Sequence, residues 1–143
     1  MTPKQIDLVQ ESFGKVLPIA EIAADMFYAR LFELDPALRK LFKGDMKKQG
    51  GMLMSMIASA VRGLKDPNAL IPVLTALGRR HAGYGVMDAH YTTVAEALLW
   101  TLEKGLGEQF DDETRKAWAA AYMLMATVMQ QGARDAPRVA IAA

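Results

Sequence analysis

Apolar side chains recur at intervals of three and four residues along most of this 143-residue chain. Such spacing places them on one face of an α-helix, whereas a half-buried strand requires alternation with a period of two. No segment alternates for long enough to indicate a strand, and no internal repeat is present. The sequence therefore predicts an all-α protein. We expect six to eight helices of unequal length, packed at varied crossing angles around a cavity.

Cap and breaker residues indicate where these helices begin and end. Thr2 can cap the first helix, with Pro3 in its first turn and Gln5 completing a capping box. Pro18 ends or redirects that helix. Aspartates are predicted to mark the starts of later helices, namely Asp35, Asp45, Asp66, Asp88 and either Asp111 or Asp112.

The second, third and fourth helices are predicted over about residues 19–34, 36–42 and 46–64. The next helix follows Asp66-Pro67 and is stopped by the glycines at 83 and 85. One more helix follows its cap at Asp88 through Leu106, and the last runs from Asp111 or Asp112 through Met129. We interpret residues 1–143 as one domain, which is an ordinary size for a single hydrophobic core. Its folded part is expected to span about residues 4–132, with a frayed tail after Gly132.

One stretch places a histidine at the end of an apolar helix face. Three leucines and this histidine are spaced four, three and four residues apart, namely Leu70, Leu74, Leu77 and His81. On a helix they form one stripe that ends in an imidazole, and glycines at two of the next four positions stop the helix. The pattern fits a nitrogen ligand that points into an apolar interior. It equally fits a buried histidine with a backbone hydrogen-bond partner.

The composition argues against several classes of protein. The net charge is +1 and the basic residues Lys47-Lys48 and Arg79-Arg80 form pairs rather than patches, so no nucleic-acid binding is expected. The chain has no cysteine, which excludes disulfides, thiolate zinc sites and covalent attachment of a c-type haem. No apolar run has the length of a signal core or a membrane span, so we predict a soluble, cytoplasmic protein without a membrane partner.

Several short segments occur in a characteristic order over residues 5–130. They are Phe27-Tyr28-Ala29-Arg30-Leu31-Phe32, Asp35-Pro36 through Leu41-Phe42, Gln49 through Leu53, Gly78-Arg79-Arg80-His81, His90-Tyr91, and Ala117-Trp118 with Tyr122. With this set the chain resembles the globins, in particular the bacterial single-domain and flavohaemoglobin branch and, more distantly, neuroglobin. The resemblance implies a bacterial protein with a globin fold around haem b, an iron protoporphyrin IX bound without covalent links.

The resemblance assigns one side of this haem to residues around the end of the fourth helix. His81 matches the proximal ligand, a neutral imidazole that binds the iron. Leu77 and Val86 are assigned to the same cofactor site. Phe42 matches the aromatic residue that packs against the haem face, and it is equally compatible with ordinary core packing. His90 is interpreted as a surface or capping residue.

On the opposite side of the haem, the resemblance assigns Tyr28, Gln49 and Leu53 to the gas-binding space. Oxygen bound to ferrous haem carries negative charge, so a phenol hydroxyl and an amide N–H can both donate to it. Each such bond contributes about 1.5–3 kcal/mol, which would slow oxygen release by about ten- to a hundredfold. Carbon monoxide, being less polar when bound, should gain less. A half-buried core residue is the alternative interpretation of Tyr28.

The same distal residues predict the coordination of the iron. Because position 49 is not a histidine, no second imidazole is in place, and the gas-free ferrous iron is expected to be five-coordinate. Gly50 and Gly51 are expected to soften the distal helix.

Behind His81, the resemblance assigns Tyr91 and Glu113 to a hydrogen-bond network that makes the imidazole more electron-rich. Ordinary packing is the alternative for Tyr91, and a helix-dipole partner is the alternative for Glu113. Candidate partners of the haem propionates are Arg79, Arg80 and Lys47.

The predicted function is reversible, high-affinity binding of O2, with NO and CO as further ligands and a monomer or weak homodimer as the assembly. A nitric oxide dioxygenase is one alternative, in which Tyr28 and Gln49 hold the oxygen and a separate reductase supplies electrons. A helical interaction domain without cofactor is another. Peroxidase activity is disfavoured because no distal histidine is available for acid–base chemistry.

Overall fold

A computed structural model describes residues 1–135, and the described chain is helical throughout, with short connections. Six α-helices follow one another, namely α1 (Pro3–Val16), α2 (Ala20–Leu34), α3 (Met46–Gly63), α4 (Pro67–Gly83), α5 (Asp88–Leu106) and α6 (Asp112–Arg134). Three short 3₁₀ segments lie between them, at Leu17–Ile19, Pro36–Leu41 and Gly107–Gln109. The predicted all-α fold is confirmed. Within residues 1–135, no helix combines the length and the apolarity needed to cross a membrane.

Most of the predicted helix starts are confirmed by side-chain caps. Thr2 and Gln5 form the capping box of α1, with reciprocal bonds of 3.0 and 3.1 Å. Asp35, Asp45 and Asp111 each accept a hydrogen bond from a backbone N–H two or three residues ahead, at 2.8–3.2 Å. These side chains satisfy donors that the first helical turn leaves without a partner.

Two of the predicted aspartates make no side-chain cap, and one of them, Asp88, does not stand at the cap position. Asp66 occupies the N-cap position of α4, but its carboxylate makes no capping bond. Asp88 is the first residue of α5 rather than its cap, because Met87 takes the cap position and donates its backbone N–H to Nδ1 of His90 at 2.9 Å. His90 is therefore a capping residue.

The larger core cluster holds α1 against α6. Trp118 and Val9 are its largest fully buried side chains, and the Trp118 indole donates to the Ser12 hydroxyl at 2.8 Å. The indole also packs against Phe13, with ring centroids 6.2 Å apart. A buried tryptophan whose N–H has a partner contributes a large apolar area without an unsatisfied donor.

Two glycines allow α4 and α6 to touch backbone to backbone. A Cβ atom at Gly78 would overlap the backbone carbonyl of Met129, and a Cβ atom at Gly132 would overlap that of Thr75. Gly132 is therefore a buried packing residue of α6. The helix continues to Arg134, two residues past the predicted end of the folded part, and residues 136–143 of the predicted tail lie outside the described residues.

Candidate functional site

A second, smaller hydrophobic cluster is built from α2, the 36–41 segment, α3 and α5. Its buried members are Phe27, Tyr28, Leu31, Leu38 and Ala97. Around them lie apolar side chains that remain partly exposed, namely Phe32, Leu34, Leu41, Phe42, Met46, Leu53, Val94 and Leu98. Large apolar side chains that stay half exposed next to each other are typical of a ligand-binding groove. We take this cluster as one wall of the candidate site.

Tyr28 is fixed within this wall by other aromatic rings. Its ring centroid lies 5.1 Å from that of Phe27, 5.3 Å from that of Phe42 and 6.0 Å from that of Phe32. The first two pairs are edge-to-face, which is a favourable arrangement of aromatic quadrupoles. Only 7% of Tyr28 is exposed, so its ring has little freedom and its hydroxyl is held in one direction.

The Tyr28 hydroxyl stays protonated near neutral pH. Burial raises its pKa above the usual value, and the neighbouring Gln49 side chain lowers it in part. A neutral phenol is a hydrogen-bond donor. The Gln49 side chain is thus close enough to the Tyr28 hydroxyl to act on it, and each of the two side chains carries a hydrogen-bond donor.

The first turns of α3 bring Gln49 to this position. Asp45 begins the helix, and the backbone N–H of Gln49 donates to the Asp45 carbonyl at 3.0 Å. The next residue, Gly50, is buried against α2, since a Cβ atom there would lie 3.0 Å from Cβ of Ala24. Gly51 has open space around it. Gly50 therefore permits a close crossing of α2 and α3.

His81 ends the apolar stripe of α4 as the spacing predicts. Leu70, Leu74 and Leu77 are all buried, and the imidazole Nδ1 lies 2.9 Å from the Leu77 carbonyl. Because a carbonyl can only accept, Nδ1 carries the proton and Nε2 keeps its lone pair. Burial lowers the pKa of His81, with the Leu77 carbonyl opposing and the Arg80 guanidinium assisting that effect. The result is a neutral imidazole with one available nitrogen.

The turn after α4 contacts the segment that precedes Phe42. Gly85 has a φ of +95°, which a residue with a side chain rarely adopts. The following residue, Val86, donates its backbone N–H to the His81 carbonyl at 3.0 Å. A Cβ atom at Gly85 would lie 3.5 Å from Cδ2 of Leu41. The end of α4 thus lies against the segment that leads to Phe42.

The expected network behind His81 is not formed. The Glu113 side chain is 66% exposed and pairs with Lys4 at 3.3 Å. The Tyr91 hydroxyl is buried and has no hydrogen-bond partner within residues 1–135. The Tyr91 carbonyl instead accepts a bond of 2.6 Å from the Tyr122 hydroxyl. Glu113 therefore forms a surface ion pair in the first turn of α6. The hydrogen-bond partner of the His81 imidazole is the carbonyl of Leu77.

These donors fit a haem better than a bare metal ion. His81 offers a single imidazole nitrogen, and the described residues hold no group of three or more histidine, cysteine, aspartate or glutamate side chains that could bind an ion. A macrocycle that brings its own four nitrogen ligands needs only one from the protein. The half-buried apolar side chains around Phe42 suit its flat, apolar faces, and the unpartnered Tyr91 hydroxyl leaves a polar atom for a ligand to meet.

Three residues that matter for this site were absent from the sequence-based assignment. Gly78 and Gly132 set the distance between α4 and α6, and Tyr122 holds the backbone of α5 at Tyr91. Gly78 stands three residues before His81, and a glycine inside a helix is a signal of close packing. The Tyr122 contact joins residues far apart in sequence, so no local pattern reveals it.

Comparison with known proteins identifies a family. The globin family model matches residues 25–129. A flavohemoprotein of Chromobacterium violaceum is 36% identical over 107 residues, which are 72% of this chain and 26% of that protein. A flavohemoprotein of Bordetella parapertussis is 30% identical over 132 residues, or 90% of this chain and 33% of that protein. The chain thus spans a quarter to a third of the length of these relatives.

Solved structures agree with this result. A hexacoordinated haem protein from an anhydrobiotic tardigrade, determined at pH 4, superposes with a TM-score of 0.86 at 15% identity, covering 94% of this chain and 96% of that chain. An engineered carbene transferase, a variant of a candidate nitric oxide dioxygenase from Rhodothermus marinus, superposes with a TM-score of 0.84 at 25% identity, covering 94% of each chain. The first likeness concerns the fold alone.

Proposed function

Because the chain belongs to the globin family, we propose that it holds haem b between α3 and α4 and binds O2 reversibly and with high affinity. The observation that carries the proposal is the pairing of two donors, Tyr28 and Gln49, in a molecule whose His81 presents a free Nε2. When bound, a haem supplies an iron that takes a diatomic gas, on which negative charge develops. The chain lacks cysteine, so the cofactor would be held without thioether bonds.

His81 would be the protein ligand of the iron. Its Nδ1–H bond to the Leu77 carbonyl fixes the tautomer and the direction of the ring, which is the usual role of a partner behind a metal-binding histidine. The lowered pKa keeps the imidazole neutral near pH 7, as a ligand must be. A neutral carbonyl donates less electron density than a carboxylate would. We therefore propose ligand binding rather than oxidative chemistry as the primary function.

Tyr28 and Gln49 would stabilise the bound gas. Each carries a hydrogen-bond donor, and a bond to a partly charged acceptor contributes about 1.5–3 kcal/mol. Three aromatic neighbours already hold the Tyr28 ring, so little entropy is lost when its hydroxyl takes a ligand. Leu53 would exclude water beside this pair, and Phe42, Leu77 and Val86 would contact the porphyrin.

Five-coordinate iron is part of the same proposal. The described residues contain two histidines, and the second of them, His90, is occupied as the cap of α5. Position 49 carries an amide, and an amide binds iron too weakly to serve as a stable sixth ligand. A gas-free ferrous spectrum typical of six-coordinate haem would contradict this part of the proposal.

The test replaces Tyr28 by phenylalanine in the haem-loaded protein. Removing the hydroxyl should raise the oxygen dissociation rate by about ten- to a hundredfold, and the carbon monoxide rate should change less. Tyr84→Phe is the matched control: Tyr84 is 65% exposed, its ring lies 6.2 Å from that of His81 and outside the Tyr28 cluster, and the change removes a hydroxyl but keeps the ring. Equal oxygen dissociation rates for Tyr28→Phe and wild type would refute the role of Tyr28. A protein expressed with adequate haem that shows no Soret band would refute the whole proposal.

Nitric oxide dioxygenation is a second candidate. Flavohemoproteins are among the relatives, and a structural neighbour is based on a candidate nitric oxide dioxygenase. Tyr28 and Gln49 would then hold O2 while NO attacks it. Sustained consumption of NO over many turnovers in the presence of a reductase would support this activity. A single stoichiometric burst would support gas binding alone, because any oxygenated globin can react once.

A further inference from the structure

A short stretch before and within the first turn of α3 is strongly basic. Residues 39–48 contain five lysine and arginine residues and one carboxylate, that of Asp45. Asp45 uses its carboxylate to cap α3, accepting from the backbone N–H of Lys47 at 2.9 Å. The five basic side chains are exposed. They therefore present their charge to solvent.

The end of α4 adds two more cations to this surface. Arg79 and Arg80 are exposed and lie one to two turns before Gly85, whose backbone approaches Leu41 of the basic stretch. The fold thus brings the end of α4, which carries Arg79 and Arg80, against the basic stretch. We call this region the basic collar, defined as Arg39, Lys40, Lys43, Lys47, Lys48, Arg79 and Arg80.

The charges of the collar are almost unneutralised. Of the seven collar residues, only Lys47 has an acidic partner among the side chains of residues 1–135, namely Glu21 at 3.8 Å. The collar holds seven of the 17 basic residues of the chain, and the same two stretches hold one of its 16 carboxylates. The rest of the chain therefore carries ten basic and fifteen acidic residues. A net charge of +1 conceals a strongly positive region on an otherwise acidic protein.

The collar borders the candidate gas-binding site. Phe42 lies within the basic stretch, Gln49 follows Lys48, and Arg80 directly precedes His81. If a haem occupies the site, its edge lies next to these cations. Two propionates would neutralise at most two of the seven charges, so the surface would remain positive.

We propose that the basic collar docks the acidic face of an electron-donating flavoprotein, an inference that rests on the proposed haem site. In the step it serves, one electron passes from the reduced flavin to ferric iron, which becomes ferrous, and no atom is transferred. Complementary charge raises the rate of such encounters by 10–10³-fold. An extended polyanion such as a membrane or a nucleic acid would also meet the acidic remainder of the chain, whereas a compact partner would meet the collar alone.

The experiment measures reduction of the ferric, haem-loaded protein by reduced flavodoxin, a small acidic flavoprotein, in a stopped-flow instrument. The test variant is Lys43→Glu/Lys48→Glu, which reverses two exposed charges of the collar. The control variant is Lys15→Glu/Lys116→Glu, which makes the same change in net charge at exposed positions outside it. We expect the second-order rate constant to fall about tenfold or more at low ionic strength in the test variant and less than twofold in the control.

Two further measurements separate docking from other effects. Reduction by reduced riboflavin, a small donor that has no protein surface to dock, should be nearly equal in all three proteins. Titration with oxidised flavodoxin by calorimetry should show weaker binding in the test variant alone, and this measurement needs no electron transfer. Raising the salt from about 20 to 200 mM should erase the difference, because screening shortens the range of the interaction to less than about 10 Å.

Several outcomes would overturn the proposal. Equal loss of rate in both variants would show that net charge matters and the collar does not. Binding of wild type to phosphatidylserine vesicles or duplex DNA at about 150 mM salt, lost in the test variant, would assign the collar to a different partner. Failure of the proposed haem site would appear separately, as a missing Soret band before mixing.

Discussion

The close contact between α4 and α6 makes a sharp prediction about Gly78. Alanine there would place a Cβ atom onto the carbonyl group and Cα of Met129, which are backbone atoms that cannot rotate away. The two helices must separate locally. Overpacking of this kind lowers the free energy of unfolding by about 1–3 kcal/mol and sometimes more. Alanine in place of a helical glycine raises it by about 0.5–1 kcal/mol through its higher helix propensity. Because only backbone can yield, we expect the upper end of the overpacking cost, and therefore a net loss of about 2 kcal/mol for Gly78→Ala.

The matched control is Gly14→Ala. Gly14 also lies inside a helix, is exposed and has no atom within 4 Å of an added Cβ. This variant should be stabilised by about 0.5–1 kcal/mol, because it gains helix propensity without a clash. The two glycine-to-alanine changes should therefore have opposite signs.

Urea unfolding of the haem-free protein, followed by circular dichroism, measures both variants. Gly78→Ala should lower the midpoint at unchanged slope, and in a thermal scan it should lower the melting temperature by roughly 5–10 °C. His81 lies three residues beyond Gly78, so the haem-loaded variant should also lose haem faster than wild type. Equal stability changes in Gly78→Ala and Gly14→Ala would refute the close packing of α4 on α6.

Three further perturbations test other parts of the structure. Trp118→Phe should lose about 2–4 kcal/mol of unfolding free energy, because it opens space and removes the indole bond to Ser12; a loss below 1 kcal/mol would contradict that packing. Glu113→Gln should cost less than about 0.5 kcal/mol and leave the reduction potential of bound haem unchanged, since its carboxylate pairs at the surface; a shifted potential would place Glu113 near the proximal histidine. Burial raises the pKa of Tyr122 and Tyr91, so these phenols ionise at lower pH in the unfolded chain than in the folded protein. The free energy of unfolding should therefore fall as the pH rises above about 10, and it should fall less steeply in Tyr122→Phe. Equal slopes of unfolding free energy against pH in Tyr122→Phe and wild type would contradict this.

The features that the sequence predicts best are local. Thr2 with Gln5, and Asp111 with the backbone N–H of Thr114, act within three residues, so composition and spacing suffice to identify them. The stripe that ends at His81 is equally local, since one helix period defines it. Asp88 shows the limit of this reasoning. The side chain that accepts a backbone hydrogen bond at the start of α5 is His90, which bonds the N–H of Met87, and Asp88 does not cap the helix.

The features that the sequence did not predict depend on contacts between distant segments. Glu113 lies on a helix whose rotation is set by Trp118 in the core, and that rotation turns the carboxylate to the surface. Gly132 has the local pattern of a helix end, and only its contact with Thr75 reveals a packing role. Lys47-Lys48 and Arg79-Arg80 were interpreted as separate pairs for the same reason, because Leu41 and Gly85 meet only in the folded chain.

Two glycine contacts connect the core of this protein to the geometry of its candidate site. Gly50 sets how closely α3 crosses α2, which fixes Gln49 relative to Tyr28, and Gly78 sets how closely α4 lies on α6, which fixes His81. Both contacts involve packed helices rather than loops. The separation of the two sides of the site is therefore determined by rigid elements, since packed helices do not deform continuously. It follows that side chains facing the site can vary in chemistry without changing its width, whereas a single methyl group at either glycine should change that width.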